Sequence, residues 1–128
     1  MPRRHAVAAL EAVRARARII RPLLLVSEIR TVAADDLWLS PQYQQDTVAI
    51  HFTWRREQAA VERVLVEVEA ALAPFEPRPH WGKLFLADAQ TLAPRYPRLD
   101  DFIALLARSD GRGAFTNAWL RTHLLGGG

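Results

Sequence analysis

The sequence predicts an α+β fold: two antiparallel strands between helices, followed by a helical tail. Three observations carry this reading. Apolar residues recur at three- and four-residue steps over residues 3–20 and 56–73, the spacing of helices with one apolar face. Two runs, 23–32 and 47–54, are rich in β-branched, leucine and aromatic residues, as strands are. Pro74, Pro77 and Pro79 then stop regular structure, and only helical patterns follow. The order helix, strand, strand, helix is an α+β pattern. Two strands alone make a poor sheet. Either the chain pairs with itself or it is part of something larger.

Taken in order, Val7, Leu10, Val13, Ala17 and Ile20 form the stripe of the first helix, and Pro22 ends it. The strand 23–32 follows. Residues 33–46 carry Asp35, Asp36, Ser40, Pro41 and Asp46 and read as a loop before the strand 47–54. In the helix 56–73, Val61, Val64, Leu65, Val68 and Leu72 make one apolar stripe, with Glu57, Glu62, Arg63, Glu67 and Glu69 largely off it. Beyond the prolines come His80-Trp81-Gly82-Lys83, a short helix near 88–94, a helix over 98–108, a turn at Asp110-Gly111-Arg112-Gly113 and a last helix over 115–125. The terminal glycines 126–128 are expected to fray.

The composition excludes several classes. At 128 residues, half of them apolar, the chain can bury roughly two-thirds of its unfolded surface and form a core. It has no cysteine, which removes disulfides, thiolate metal sites and cysteine nucleophiles. No apolar run is long enough for a transmembrane helix. Met1-Pro2-Arg3-Arg4 leads into an arginine-rich amphipathic segment instead of a secretory apolar core, so a cytoplasmic location is expected. The net charge is only +3, carried by sixteen arginines and one lysine, Lys83. Arg14, Arg16, Arg18 and Arg21 fit an exposed helix face or a phosphate-binding surface, and the modest net charge favours the former; no nucleic-acid partner is expected. The histidines His5, His51, His80 and His123 lack metal-ligand spacing, so no metal is expected. There is no glycine-rich phosphate loop.

Alternation along the strands places Leu23, Leu25, Ser27 and Ile29 on one face of the first, and Leu24, Val26, Glu28 and Arg30 on the other. In the second, Val48, Ile50, Phe52 and Trp54 oppose Thr47, Ala49, His51 and Thr53. One face of each strand is apolar; the other becomes polar through Glu28, Arg30, His51 and Thr53. Mid-strand charges do not cover a core unless paired. Two readings stay open: an exposed ion pair contributing little, or the floor of a polar cavity. In the second, a carboxylate acceptor and a guanidinium donor face a hydroxyl and an imidazole, a set suited to a ligand with several hydroxyls. His80-Trp81-Gly82-Lys83 fits a structural turn or a site for a cofactor or an oxyanion. Gly82 permits close approach of the backbone.

Ser27-Glu28-Ile29-Arg30-Thr31 with Trp38-Leu39-Ser40-Pro41, then His51-Phe52-Thr53-Trp54, then Pro79-His80-Trp81-Gly82-Lys83 resemble the C-terminal part of flavin-dependent alditol (xylitol) oxidases. These are relatives of the D-arabinono-1,4-lactone oxidases, among the vanillyl-alcohol-oxidase-type flavoproteins. Tyr96-Pro97-Arg98, Asp100, Phe102, Gly113, Phe115, Thr116, Asn117 and Leu120 continue the likeness, which covers nearly the whole chain. The resemblance implies that Glu28, Arg30, Thr53 and Lys83 bind substrate, that His51 lies in the same pocket wall, and that His80 contacts the flavin. It also implies oxidation of a primary alcohol of a xylitol- or sorbitol-type substrate. By the same resemblance, Lys83 and Arg30 would be the catalytic groups, favouring alkoxide character as the proton leaves. It implies, too, that hydride would pass to the isoalloxazine N5 and that O2 would reoxidise the flavin to give H2O2.

The likeness has no counterpart of the FAD-binding domain. It implies a partial substrate-binding cap over residues 1–75 and, over 76–128, a C-terminal segment that packs on that domain. FAD would be held mainly by the missing part, as a domain or separate half-protein, and the chain alone would be inactive. An aldonolactone oxidase is the alternative within the enzymes; a truncated, non-catalytic remnant or interaction module is the alternative outside them. By itself the chain is expected to be marginally stable, to self-associate, or to expose an apolar patch.

Overall fold

A computed structural model describes residues 1–126. The expected fraying of the terminal glycines falls outside these at its last two positions. The fold is α+β: helices and one two-stranded antiparallel sheet. A 3-10 turn (Arg3–His5) leads into α1 (Ala6–Arg14) and α2 (Ala17–Ile20), then β1 (Leu24–Val32) and β2 (Thr47–Trp54). Next come α3 (Gln58–Leu72), a 3-10 turn (Ala73–Phe75), α4 (Ala89–Leu92) and a second such turn (Ala93–Arg95). The chain ends with α5 (Leu99–Ser109), α6 (Ala118–Leu120) and a π-type turn (Arg121–Leu125).

The first helix is divided, where the alanine-arginine pattern predicts one rod. Arg16 N–H bonds Val13 O, one residue short of the α-helical step, and Ile19 N–H bonds Arg16 O. This bend lets Ala9 and Ile20, on opposite sides of it, both enter the core. At the other end, the last helix starts at α6 instead of 115. Gly113 takes a left-handed φ of 67°, and the Asn117 side chain caps the helix by accepting Leu120 N–H at 2.9 Å.

Every residue of the α3 stripe is buried, and the stripe packs on Val48, Ile50, Phe52 and Trp54 of β2. The pairing sets Glu28 opposite His51, Ile29 opposite Ile50 and Arg30 opposite Ala49. A bulge at Leu25 corrects the simple alternation. Leu24 opposes Trp54 while Val26 already opposes Thr53, so Leu24 joins the helix-facing side and not the side of Glu28 and Arg30. Residues 1–3 run beside β2: Val48 N–H bonds Met1 O at 2.9 Å, and Arg3 N–H bonds Asp46 O at 2.9 Å. Among the described residues the far edge of β1 has no neighbour.

Buried residues form two clusters. One spans Met1 to Leu72; the other joins Phe85, Leu92, Tyr96, Leu99 and Leu124, with Leu39 and Trp81 against it. No helix among the described residues is long and apolar enough to cross a membrane.

Candidate functional site

The second cluster is tied to the first through the proline-rich segment. Prolines offer carbonyl oxygens but no N–H, so donors must come from elsewhere. Arg95 Nη1 donates to Pro77 O at 2.7 Å, and Tyr96 Oη to Pro79 O at 3.3 Å. Arg78 reaches the 33–46 loop: Nε donates to Arg95 O at 2.7 Å and Nη1 to Tyr43 O at 3.0 Å, with the guanidinium 5.4 Å from the Tyr96 ring centre. The Trp81 indole donates to Leu39 O at 2.7 Å. Burial lowers the pKa of both arginines and pushes the Tyr96 hydroxyl up. None of Arg78, Arg95 and Tyr96 stood out in the sequence as shaping a site, because their partners are carbonyls 17 to 37 residues away.

Between β2 and this segment lies a cleft of about 940 Å³, within the size range of small-molecule sites. Glu28, Arg30, His51, His80 and Lys83 all line it, together with Ile50, Phe52 and Trp54 of β2 and residues of α3. The hollow is thus shared by polar residues of the sheet and by His80 and Lys83 of the turn. Arg30 Nη2 donates to Glu28 Oε2 within β1. Thr53 does not line the cleft; its hydroxyl lies 3.2 Å from Nε2 of His51, which does. Lys83 makes no ion pair among the described residues. A second, shallower hollow of about 500 Å³, between Arg3, Arg4 and residues 44–46, contains none of these groups.

The turn itself explains its residues. Lys83 N–H bonds His80 O at 2.9 Å, and Gly82 N–H donates to His80 Nδ1 at 3.0 Å. In the neutral imidazole the proton therefore sits on Nε2, which leaves a donor there. A Cβ at Gly82 would lie 3.3 Å from His80 Cε1. Gly82→Ala is expected to push the ring off this bond and to shift the His80 ring resonances in NMR spectra, with little change in melting temperature.

Glu69 of α3 is a further cleft residue, and the helix pattern marked it only as lying off the apolar stripe. Its carboxylate accepts Leu86 N–H at 2.7 Å and so holds the chain after Lys83 against α3. Burial raises its pKa, against the opposing effect of the Leu86 and Ala87 amides. A carboxyl raised in the folded state favours the fold below its unfolded pKa of 4.5, and that contribution is lost as pH rises through the higher folded value. Glu69→Gln keeps an acceptor for Leu86. It is expected to gain stability relative to the native chain as pH rises above 4.5, measured by denaturant titration from pH 4 to 8.

Among the described residues no group of three or more histidine, aspartate or glutamate side chains could hold a metal ion. Comparison with known proteins agrees with the motifs. The chain is 49% identical over 126 residues to an alditol oxidase of Streptomyces sp., covering 98% of this chain and 30% of that protein. It is 35% identical over 105 residues to an L-gulono-1,4-lactone dehydrogenase of Mycobacterium tuberculosis, covering 80% and 24%. It is 29% identical over 96 residues to an L-gulonolactone oxidase of Bos taurus, covering 73% and 22%. The chain thus spans less than a third of the length of these curated relatives. The D-arabinono-1,4-lactone oxidase family profile matches residues 1–123, and the chain belongs to that family.

Proposed function

We propose that the chain is the C-terminal, substrate-binding part of an FAD-dependent oxidase that converts the primary alcohol of a sugar alcohol, with O2, to an aldehyde and H2O2. Residues 1–75 would be part of the substrate cap, and 76–128 the segment that returns to a flavin-binding domain or half-protein. The observation that carries this reading is the cleft: Glu28, Arg30, His51, His80 and Lys83 line it together, from positions up to 55 residues apart.

The residues fit a polyol. Glu28 accepts hydrogen bonds from substrate hydroxyls and Arg30 donates them, fixing which carbon lies deepest. His51, with Thr53 against its Nε2, adds a polar contact in the same cleft. Lys83 donates to the reacting hydroxyl oxygen and stabilises negative charge there as its proton leaves. His80 Nε2–H suits an acceptor on the edge of a flavin ring. No described glycine-rich loop would hold the pyrophosphate of FAD, so these residues fit the ring edge alone. When bound, the flavin supplies the hydride acceptor and passes the electrons to O2.

The test is to combine the chain with a separately produced flavin-binding half and measure peroxide from xylitol and sorbitol. Peroxide with the combination and none with the chain alone is the expected result; none with any polyol would overturn it. The family profile and the lactone-enzyme relatives favour a second reading, an aldonolactone oxidase. Turnover of an aldono-1,4-lactone in preference to xylitol would select it.

A further inference from the structure

The turn that carries His80 and Lys83 is fastened on both sides. Ahead of it, the Tyr96 hydroxyl donates to Pro79 O at 3.3 Å, one residue before His80. Behind it, residues 84–88 lie outside any helix or strand, so their backbone groups need partners from elsewhere. Glu69 Oε1 accepts Leu86 N–H at 2.7 Å, three residues after Lys83, and the Ala87 amide also favours the ionised carboxylate. His123 Nδ1 lies 2.8 Å from Ala87 O; a carbonyl only accepts, so Nδ1 carries the proton. The chain at 86 and 87 is thus held both from α3 and from the turn Arg121–Leu125.

The α3 pattern puts Glu69 where it can do this. Leu65, four residues before it, and Leu72, three after, are buried, so Glu69 stands on the border of the apolar stripe. A carboxylate there is partly desolvated and needs a donor. Of the three glutamates of α3, Glu62, Glu67 and Glu69, it is the one that lines the cleft. Leu86 is 37% exposed, so water can take over its N–H when the carboxylate is removed. Water does not replace the tie to α3.

We propose that Glu69 is a positioning residue: by tying Leu86 to α3 it sets where Lys83 and His80 stand in the cleft. Lys83 N–H bonds His80 O, so the turn moves as one piece, and releasing its rear fastening displaces both side chains. A displacement of about 1 Å at a reacting group is enough to slow a reaction severely. The effect on turnover rests on the oxidase reading; the placement of the turn does not.

The placement is read on the chain alone, by NMR of isotope-labelled protein. Glu69→Met keeps the stem and the helix propensity and removes the acceptor. It should shift the Leu86 and Lys83 amide and the His80 ring resonances, while lowering the melting temperature by no more than about 8 °C. Glu69→Gln keeps an acceptor and should leave Lys83 and His80 close to their native resonances. Glu67→Met, at an exposed position of the same helix, should move neither. The consequence is read in the assembled, flavin-loaded enzyme well below its melting temperature. Glu69→Met should lower kcat for xylitol about tenfold, the effect of losing one hydrogen bond to a charged acceptor, with KM changed less than about threefold. Glu69→Gln should recover at least about a third of the native kcat. A residue with a merely structural role would lower the melting temperature and leave kcat of the folded enzyme as it was. Unmoved Lys83 and His80 resonances, equal shifts from Glu67→Met, loss of the fold in Glu69→Met, or a native kcat in that variant would each overturn the proposal. No peroxide from the native assembly would instead overturn the oxidase reading, and the resonances of the chain alone would then decide the placement.

Discussion

Lys83→Met in an assembled, flavin-loaded enzyme is expected to lower kcat/KM for a polyol by about 10²–10⁴-fold, the range for removing a proton-transfer or oxyanion-stabilising group. The expectation rests on placement. Lys83 lines the same cleft as Glu28 and Arg30, and no described carboxylate pairs with it. Methionine keeps the length of the stem and removes the ammonium. The loss should fall mainly on kcat if the charge acts on the reacting oxygen, and mainly on KM if it only holds the substrate. Steady-state peroxide formation against xylitol concentration separates the two. A variant within threefold of the native enzyme in both parameters would remove Lys83 from the chemistry.

Tyr96→Ala is expected to cost about 3–5 kcal/mol, typical for truncating a buried aromatic, and to lower the melting temperature by roughly 10–20 °C. Tyr96 is 2% exposed and sits at a crossing point. Its ring meets Trp81 at 4.9 Å and lies under the Arg78 guanidinium, while its hydroxyl holds the Pro79 carbonyl. Without the ring, Arg78 loses its apolar cover and the segment bearing His80 and Lys83 loses its backing. Tyr96→Phe keeps the packing and removes one hydrogen bond, so its cost should be about 1 kcal/mol. Differential scanning calorimetry of both variants tests this. A small loss for Tyr96→Ala would mean that the second cluster contributes little to the cooperative unit.

What the sequence disclosed follows from how local its signals are. The α3 stripe was legible because Val61, Val64, Leu65, Val68 and Leu72 all face one slab of β2 at helical spacing. The two strands were legible from their β-branched runs. Their pairing joins the faces that bear Glu28 and His51, as alternation predicts. The break between α1 and α2 was hidden, because alanine and arginine are strong helix formers and the bend serves burial of Ala9 and Ile20. The roles of Arg78, Arg95 and Glu69 were hidden as well. Each bonds a backbone group, and any sequence supplies backbone groups, so no pattern of side-chain types marks the partner. His80 and Lys83 stood out through their motif, but their meeting with the polar sheet face depends on those unmarked clamps.

The bulge at Leu25 fixes where the chain can change length. Deleting Leu25 would straighten the strand entrance and leave Glu28 opposite His51, since the pairing on either side of it is already in phase. Deleting Ile29 would turn either Glu28 or Arg30 toward the helices, where an uncompensated charge is costly. Insertions and deletions should therefore survive beside Leu24 and be lost between Val26 and Val32.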